Sequence, residues 1–482
     1  MLFSSLSFLS VFLPLTIVIY FLTPTIRLRN MVLLFSSFVF YVWGEAEWTS
    51  IFVVSIILNY VFGRLIQRTP DRHRARIVLG ICIAVNLALL GYFKYFGFFL
   101  EQLNSILGFA GYSAIMATTP HLPLGISFYT FHGLTYNVDI YYGRARAQGL
   151  FNVALYKAFF PQLVAGPIVR YHTVAEALRE RHVTIDAFGS GVERFCIGLG
   201  KKVLIANTVA VPADMIFAMP ASDLTTPLAW FGLICYAIQI YFDFSGYSDM
   251  AIGMAKMFGF PFPENFNHPY TARSIRDFWR RWHISMTIFF RDYVYIPLGG
   301  NRNGPVQTYR NLVLVFLLTG FWHGASWNFV VWGGFHGFFL IIERSAIGRV
   351  LAALPLALQH VYTLLVVLVA WVFFRASDLT HAGGYLSAMF GFGTEAVRSA
   401  QIVQYHLTPV VYVAILAGIA FSGPWISNGL NAFGRRCASM PSLDNIASDI
   451  PYMRTLALLA LLCLSWLSVA AGAYNPFIYF RF

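Results

Sequence analysis

Apolar runs recur along this chain from Phe8 to its last segment, with no long polar linker or low-complexity block between them. A bilayer offers no water to backbone N–H and C=O groups, so such runs fold as helices that satisfy their own backbone. Composition agrees: of 482 residues, 58% are hydrophobic and only 11% charged, which excludes a soluble chain of several domains. The expected fold is an all-α polytopic membrane protein, a single transmembrane domain over 1–482. Its helices are expected to be tilted and broken around a central chamber, with interfacial amphipathic helices beside them.

The first run, Phe8 to Leu22, lacks a basic leader and a small-residue cleavage site, so it is expected to stay as an anchor. Cys82, Cys196, Cys235, Cys437 and Cys463 are scattered without a CxxC pair, which predicts free thiols and no metal site. The formal charge of +12 is a topology signal. Arg27 and Arg29 precede one apolar run, and Arg64, Arg68, Arg72, Arg74 and Arg76 follow the next, while the turn between holds Glu45 and Glu47. The positive-inside rule assigns the basic loops to the cytoplasm and the acidic turn to the outside. No basic domain stands apart from the apolar runs, so nucleic acid is excluded as a partner.

Hydropathy predicts spans near 6–23, 30–43, 49–63, 77–99, 151–165, 226–242, 311–322, 326–342, 359–374, 408–422 and 455–472. Pro, Gly and polar residues interrupt 121–142 and the stretch Gln239 to Asp249. Backbone of that kind is tolerated at membrane depth only inside protein or beside a wet cavity.

Ile275 to Ile296 reads as one basic amphipathic helix on the membrane surface, with Phe278, Trp279, Trp282 and Phe289 on one side and Arg276, Arg280 and Arg291 on the other. His283 falls between the two faces. It either points into the protein at the water boundary or snorkels at the interface. Asn311 to Ile342 as one helix would run about 48 Å against a hydrocarbon core of about 30 Å. It must break, and Gly320 and Gly324 around His323, followed by Ser326 and Asn328, put the break there. A titratable ring at that depth is a functional residue by default; the alternative is a histidine hydrogen-bonded between packed helices. His336, flanked by glycines, reads as a packing residue.

Imidazole is suited to proton transfer near neutral pH, so a buried one can take the proton of a hydroxyl attacking an acyl group. His283 and His323 are the pair that fits general-base acyl transfer. The sequence has no GxSxG elbow, no GxxxxGK[ST] loop and no HExxH.

The string Pro263-Glu264-Asn265-Phe266-Asn267-His268-Pro269-Tyr270 continues through Asp277-Phe278-Trp279-Arg280-Arg281-Trp282-His283 to Tyr295-Ile296-Pro297-Leu298-Gly299-Gly300. Together with Leu122-Pro123-Leu124-Gly125, Phe160-Pro161-Gln162-Leu163, Tyr241-Phe242-Asp243-Phe244-Ser245, Trp371-Val372-Phe373-Phe374-Arg375 and the terminal Pro476 to Phe482, it resembles the membrane-bound O-acyltransferase family. Within that family it is most similar to the bacterial alginate O-acetyltransferase branch. The likeness covers nearly the whole chain.

The resemblance implies that His323 is the essential histidine and His283 a second site histidine. It implies an acetyl donor, acetyl-CoA, used from the cytoplasmic side, an acceptor hydroxyl on the periplasmic side, and no bound cofactor. Arg276, Arg280 and Arg281 are weak candidates for holding the donor's phosphates; solvated positive-inside charge is the simpler reading. His132 departs from the family's usual Gln after Phe131, and His268 reads as a loop residue. Asp243 and Asp249 are expected to bond Ser245 and Ser248. The resemblance also implies a periplasmic transferase partner and an exopolysaccharide acceptor, alginate first, in a bacterial inner membrane. Acetylation of cellulose or another polymer, D-alanyl transfer, a transporter of acetyl donors and a non-enzymatic scaffold are the alternatives.

Overall fold

The computed structural model describes residues 1–392, 407–438, 444–472, 474–476 and 478. Every regular element among them is helical. Seven helices are long and apolar enough to cross a bilayer: Ile26–Glu45, Thr49–Arg68, Arg72–Phe109, Ile185–Phe217, Thr226–Met257, Leu356–Arg375 and Tyr452–Ala470. The chain is thus an all-α, multi-pass membrane protein. Phe8–Leu22 and Pro409–Phe421 are apolar but shorter. The Cys437 side chain and the terminal residues 479–482 lie outside the described residues.

Alternating crossings give the molecule two faces. Glu45 and Glu47 lie on one, where the Glu45 carboxylate meets the His121 ring at 3.2 Å. Arg64 to Arg76 lie on the other, where the Ala147 N–H donates to Gln67 Oε1. Between them Ile126–Tyr141 is almost wholly buried against Thr49–Arg68 and Arg72–Leu90. Amides stitch the three helices, since Asn59 Oδ1 accepts from Asn86 at 3.2 Å and Asn137 at 2.8 Å. Polar side chains inside a membrane bundle act as such cross-links.

Ile185–Phe217 is a crossing that the hydropathy pattern does not single out. Its ions are answered by neighbours: Lys202 pairs with Asp243 at 2.6 Å, and Asp249 holds both Arg194 at 2.9 Å and Lys201 at 2.7 Å. Asp243 and Asp249 therefore bond cations, not Ser245 and Ser248 as expected. The reason is that Ile185–Phe217 packs along Thr226–Met257 and presents three basic side chains to it.

The crossing expected at 151–165 is instead two short helices, Leu150–Ala158 and Phe160–Leu163. Every residue from Val153 to Val169 is buried. Pro161 and the polar Lys157 and Gln162 suit protein surroundings better than lipid, and the Lys157 ammonium donates to Ser55 Oγ at 2.8 Å.

The amphipathic surface helix expected over Ile275–Ile296 is also corrected. Helix Ile275–Arg281 ends, His283 takes a left-handed conformation with φ 42°, and helix Ile284–Phe290 restarts before a π-helical turn Arg291–Tyr295. The apolar side of the wheel faces the protein interior, with Phe278, Trp279, Trp282 and Phe289 all buried.

The expected break at His323 is present. Helix Pro305–His323 stops there and helix Trp327–Ile342 returns beside it. The two approach so closely that a Cβ on Gly320 would meet Phe329 O at 2.1 Å, and one on Gly333 would meet Phe316 O at 2.2 Å. Trp327–Ile342 then bends by 79° into Ala346–Ala353. At that bend the Glu343 carboxylate accepts from the Ile275 and Arg276 N–H groups, capping the N-terminus of helix Ile275–Arg281.

The Lys202–Asp243 pair is almost fully enclosed, so removing one partner strands a charge. Lys202→Ala is expected to cost about 3–5 kcal/mol, read as an earlier thermal transition in detergent. Adding Asp243→Asn to Lys202→Ala is expected to recover part of that loss, because no uncompensated charge remains.

Candidate functional site

His323 is the last residue of its helix, and Gly324 leaves it in extended backbone. The ring is 5% exposed and enclosed by three aromatic groups: Trp322 at 4.8 Å, Trp332 at 5.1 Å and Phe374 at 5.1 Å between centroids. Its Nδ1 has no hydrogen-bond partner among the described residues. The helix–helix hydrogen bond that would make this an ordinary packing histidine is therefore missing from Nδ1.

One side of the residue opens on a cavity of about 50 Å³ lined by His323, Trp322, Lys94, Ser127 and the Leu122–Ile126 segment. This is the interrupted stretch of the sequence, ending in Gly125 with φ 71°. A second cavity of about 350 Å³ begins at the turn after His323, lined by Gly324, Ala325, Ser326, Phe374 and Arg375. Lys94 stands 22 positions beyond Arg72, about 33 Å along its helix, so this end of the site lies toward the acidic-turn face.

His283 lies fully buried, neither snorkelling nor at a water boundary. Asn265 explains how. Its Oδ1 accepts from the Ser285 N–H at 3.2 Å and the Ser285 hydroxyl at 2.8 Å, and its Nδ2 donates to Ser248 Oγ at 2.9 Å. A backbone N–H only donates, so the amide orientation is fixed, and the His283 Nδ1 at 3.1 Å must donate to the same oxygen. That leaves the His283 Nε2 as the proton-accepting nitrogen, buried and without a partner among the described residues. The Ile284 N–H bonds Asn265 O at 2.9 Å, which helps hold His283 in its left-handed conformation.

The structure brings the two histidines to the same indole. Trp322 lies 6.3 Å from the His283 ring and 4.8 Å from the His323 ring, and it stacks on Phe131 at 5.1 Å. Both are imidazoles with an unpartnered nitrogen in a nearly dry site, which is suited to moving a proton to or from a small reactant.

The other sequence candidates separate from this centre. Arg276 and Arg280 are exposed, and Arg281 pairs with Asp277 at 2.9 Å. His336 receives the Trp279 indole N–H at 3.3 Å, which makes it a packing partner within the aromatic cluster. His132 is fully buried beside Tyr156, and His268 sits in a loop with φ 47°. Sequence reasoning gave no role to Asn265 or Lys94. Asn265 stood within a string noted only for its likeness, and Lys94 passed as one charge inside an apolar run.

Residues 141–381 match the model of the membrane-bound O-acyltransferase family. The chain belongs to that family. Among curated proteins, this membrane-bound O-acyltransferase is 41% identical to the probable alginate O-acetylase AlgI of Azotobacter vinelandii, over 100% of both chains. It is 41% identical to the same-named protein of Pseudomonas putida, again over 100% of both. It is 33% identical to the peptidoglycan O-acetyltransferase of Helicobacter pylori, over 100% of this chain and 98% of that one. Both histidines fall within the matched span, and the enzyme class is an O-acyltransferase.

Asn265→Leu is expected to strand the Ser285 N–H and release His283, costing about 1–3 kcal/mol of stability and lowering acyl transfer per folded molecule. Asn267→Ala, an exposed neighbour in the same loop, is expected to leave both unchanged. Thermal unfolding in detergent alongside turnover at matched folded protein checks the pair.

Proposed function

We propose that this enzyme is an O-acetyltransferase of a bacterial inner membrane that O-acetylates an exopolysaccharide, alginate first among them. In this reading acetyl-CoA is used from the basic, cytoplasmic face, and the acetyl group is delivered toward the acidic-turn, periplasmic face. The observation that carries it is the buried His323 imidazole, its Nδ1 without a partner among the described residues, at the end of a broken helix beside a cavity on the acidic-turn side. The full-length likeness to proteins named alginate O-acetylases supports the acceptor class.

His323 acts as general base. It accepts the hydroxyl proton as that oxygen attacks the thioester carbonyl; the C–S bond breaks, and the thiolate leaves and is protonated. His283, its Nδ1–H held by Asn265, orients the reacting group by accepting a hydrogen bond at Nε2. The immediate acceptor is the serine of a periplasmic transferase partner, with the polymer hydroxyl downstream. Arg276, Arg280 and Arg281 supply positive charge on the donor's side; two of them are exposed, which fits general attraction of phosphates better than a built pocket.

The test is the acetyl content of the secreted polymer in cells carrying wild type, His323→Ala or His283→Ala at matched membrane levels. Loss of a general base is expected to lower transfer by about 10²–10⁴-fold for His323→Ala, and by less for His283→Ala. Unchanged acetylation with His323→Ala rejects the base assignment. An acetyl deficit in peptidoglycan instead of the secreted polymer rejects the acceptor, as the Helicobacter pylori relative's name makes worth measuring.

A further inference from the structure

An α-helix leaves the carbonyls of its last turn without intrahelical partners, and at membrane depth no bulk water takes their place. Helix Pro305–His323 ends in that situation, yet all four of its last carbonyls are answered. Gly320 O accepts from the Gly324 N–H at 3.4 Å. Phe321 O accepts from the Tyr95 hydroxyl at 2.9 Å. Trp322 O and His323 O both accept from the Lys94 ammonium, at 2.5 and 3.2 Å. Two consecutive residues of another helix thus close the end on which His323 stands.

Consecutive residues of a regular α-helix point in different directions. Here they share a target because Gly91–Tyr95 is a π-helical turn inside Arg72–Phe109, a distortion that often accompanies functional sites. The Tyr95 ring stacks on Phe321 at 4.2 Å, and the Lys94 ammonium lies 5.9 Å from the Trp322 ring centroid. A cation is also favoured at the negative end of a helix dipole.

We propose that Lys94, assisted by Tyr95, is a positioning residue of the transfer reaction, fixing the broken end of helix Pro305–His323 and with it the place of the His323 ring. This rests on the reading of His323 as the base. A snorkelling lysine would carry its ammonium to water, whereas this one turns inward. A substrate-binding lysine would keep a donor for the ligand. The ammonium has three N–H groups, and the structure uses all of them, the third on Ser127 Oγ at 3.4 Å. Lys94 therefore acts through the helix end and not by touching the acceptor.

The test uses permeabilised cell envelopes of the native host, which hold the full chain together with its periplasmic partner, with radiolabelled acetyl-CoA as donor and the host's own secreted polymer as acceptor. Lys94→Met is expected to lower kcat by about ten-fold or more while KM for both substrates stays within about two-fold, the pattern of a lost transition-state alignment. Lys94→Arg, which keeps a cation and several N–H donors, is expected to restore much of kcat. Tyr95→Phe, which removes one hydroxyl, is expected to give a smaller fall in kcat with unchanged KM, and it decides the matter if Lys94→Met does not fold. Wild-type kcat in Lys94→Met or Tyr95→Phe, with His323→Ala inactive, overturns the inference alone. A raised acceptor KM at constant kcat also overturns it, because Lys94 would then be binding substrate. Activity in His323→Ala overturns the underlying reading instead.

Discussion

A helix that stops inside a membrane must find partners for its terminal carbonyls within the protein, and much of this molecule is arranged around that requirement. Helix Pro305–His323 ends at His323, so the ring can face a cavity instead of a next turn of helix. The carbonyls so exposed are taken up by Lys94 and Tyr95. Those two residues reach them only because a π-helical turn distorts their own helix. The return helix Trp327–Ile342 lies within glycine distance of the first, so the turn between them is held from both sides. An imidazole beside a cavity is thereby gained with the last four carbonyls of its helix all paired.

The same economy explains where sequence reasoning succeeded and failed on the fold. Thr49–Arg68 and Leu356–Arg375 were legible because each is a continuous apolar run facing lipid on much of its surface. Ile185–Phe217 was not, because Arg194, Lys201 and Lys202 dilute its hydropathy, and their compensation lies on another helix as Asp243 and Asp249. A sum over one segment counts the cost of an ion and cannot see its partner. The error at 151–165 runs the other way: that segment is apolar enough for lipid but is enclosed by protein, which hydropathy does not distinguish.

For the site, His323 was legible from length alone, since the run was too long for one crossing and glycines marked the break. His283 was legible as a residue but not in its setting. A helical wheel assumes unbroken helix, and the left-handed His283 resets the wheel in the middle of the segment. The cause is Asn265, whose carbonyl and amide oxygens recruit Ile284, Ser285 and His283 together, an arrangement that depends on contacts 18 to 20 residues away. Long-range hydrogen bonds of this kind leave no local periodicity to read. Lys94 was invisible for the same reason: its meaning comes from carbonyls 228 and 229 positions later.

The geometry around Trp322 bears on how two reactants of different size meet. The cavity of about 50 Å³ beside His323 leaves room for a small group. The indole neighbours both histidine rings and stacks on Phe131, while Lys94 holds the Trp322 carbonyl. In the reaction proposed above, that indole is a shared neighbour of both imidazoles. It belongs to the same helix end as His323, so a shift of one moves the other. Under the proposed function, the place of Trp322 and the place of His323 are therefore coupled, and the cap from Lys94 and Tyr95 holds both.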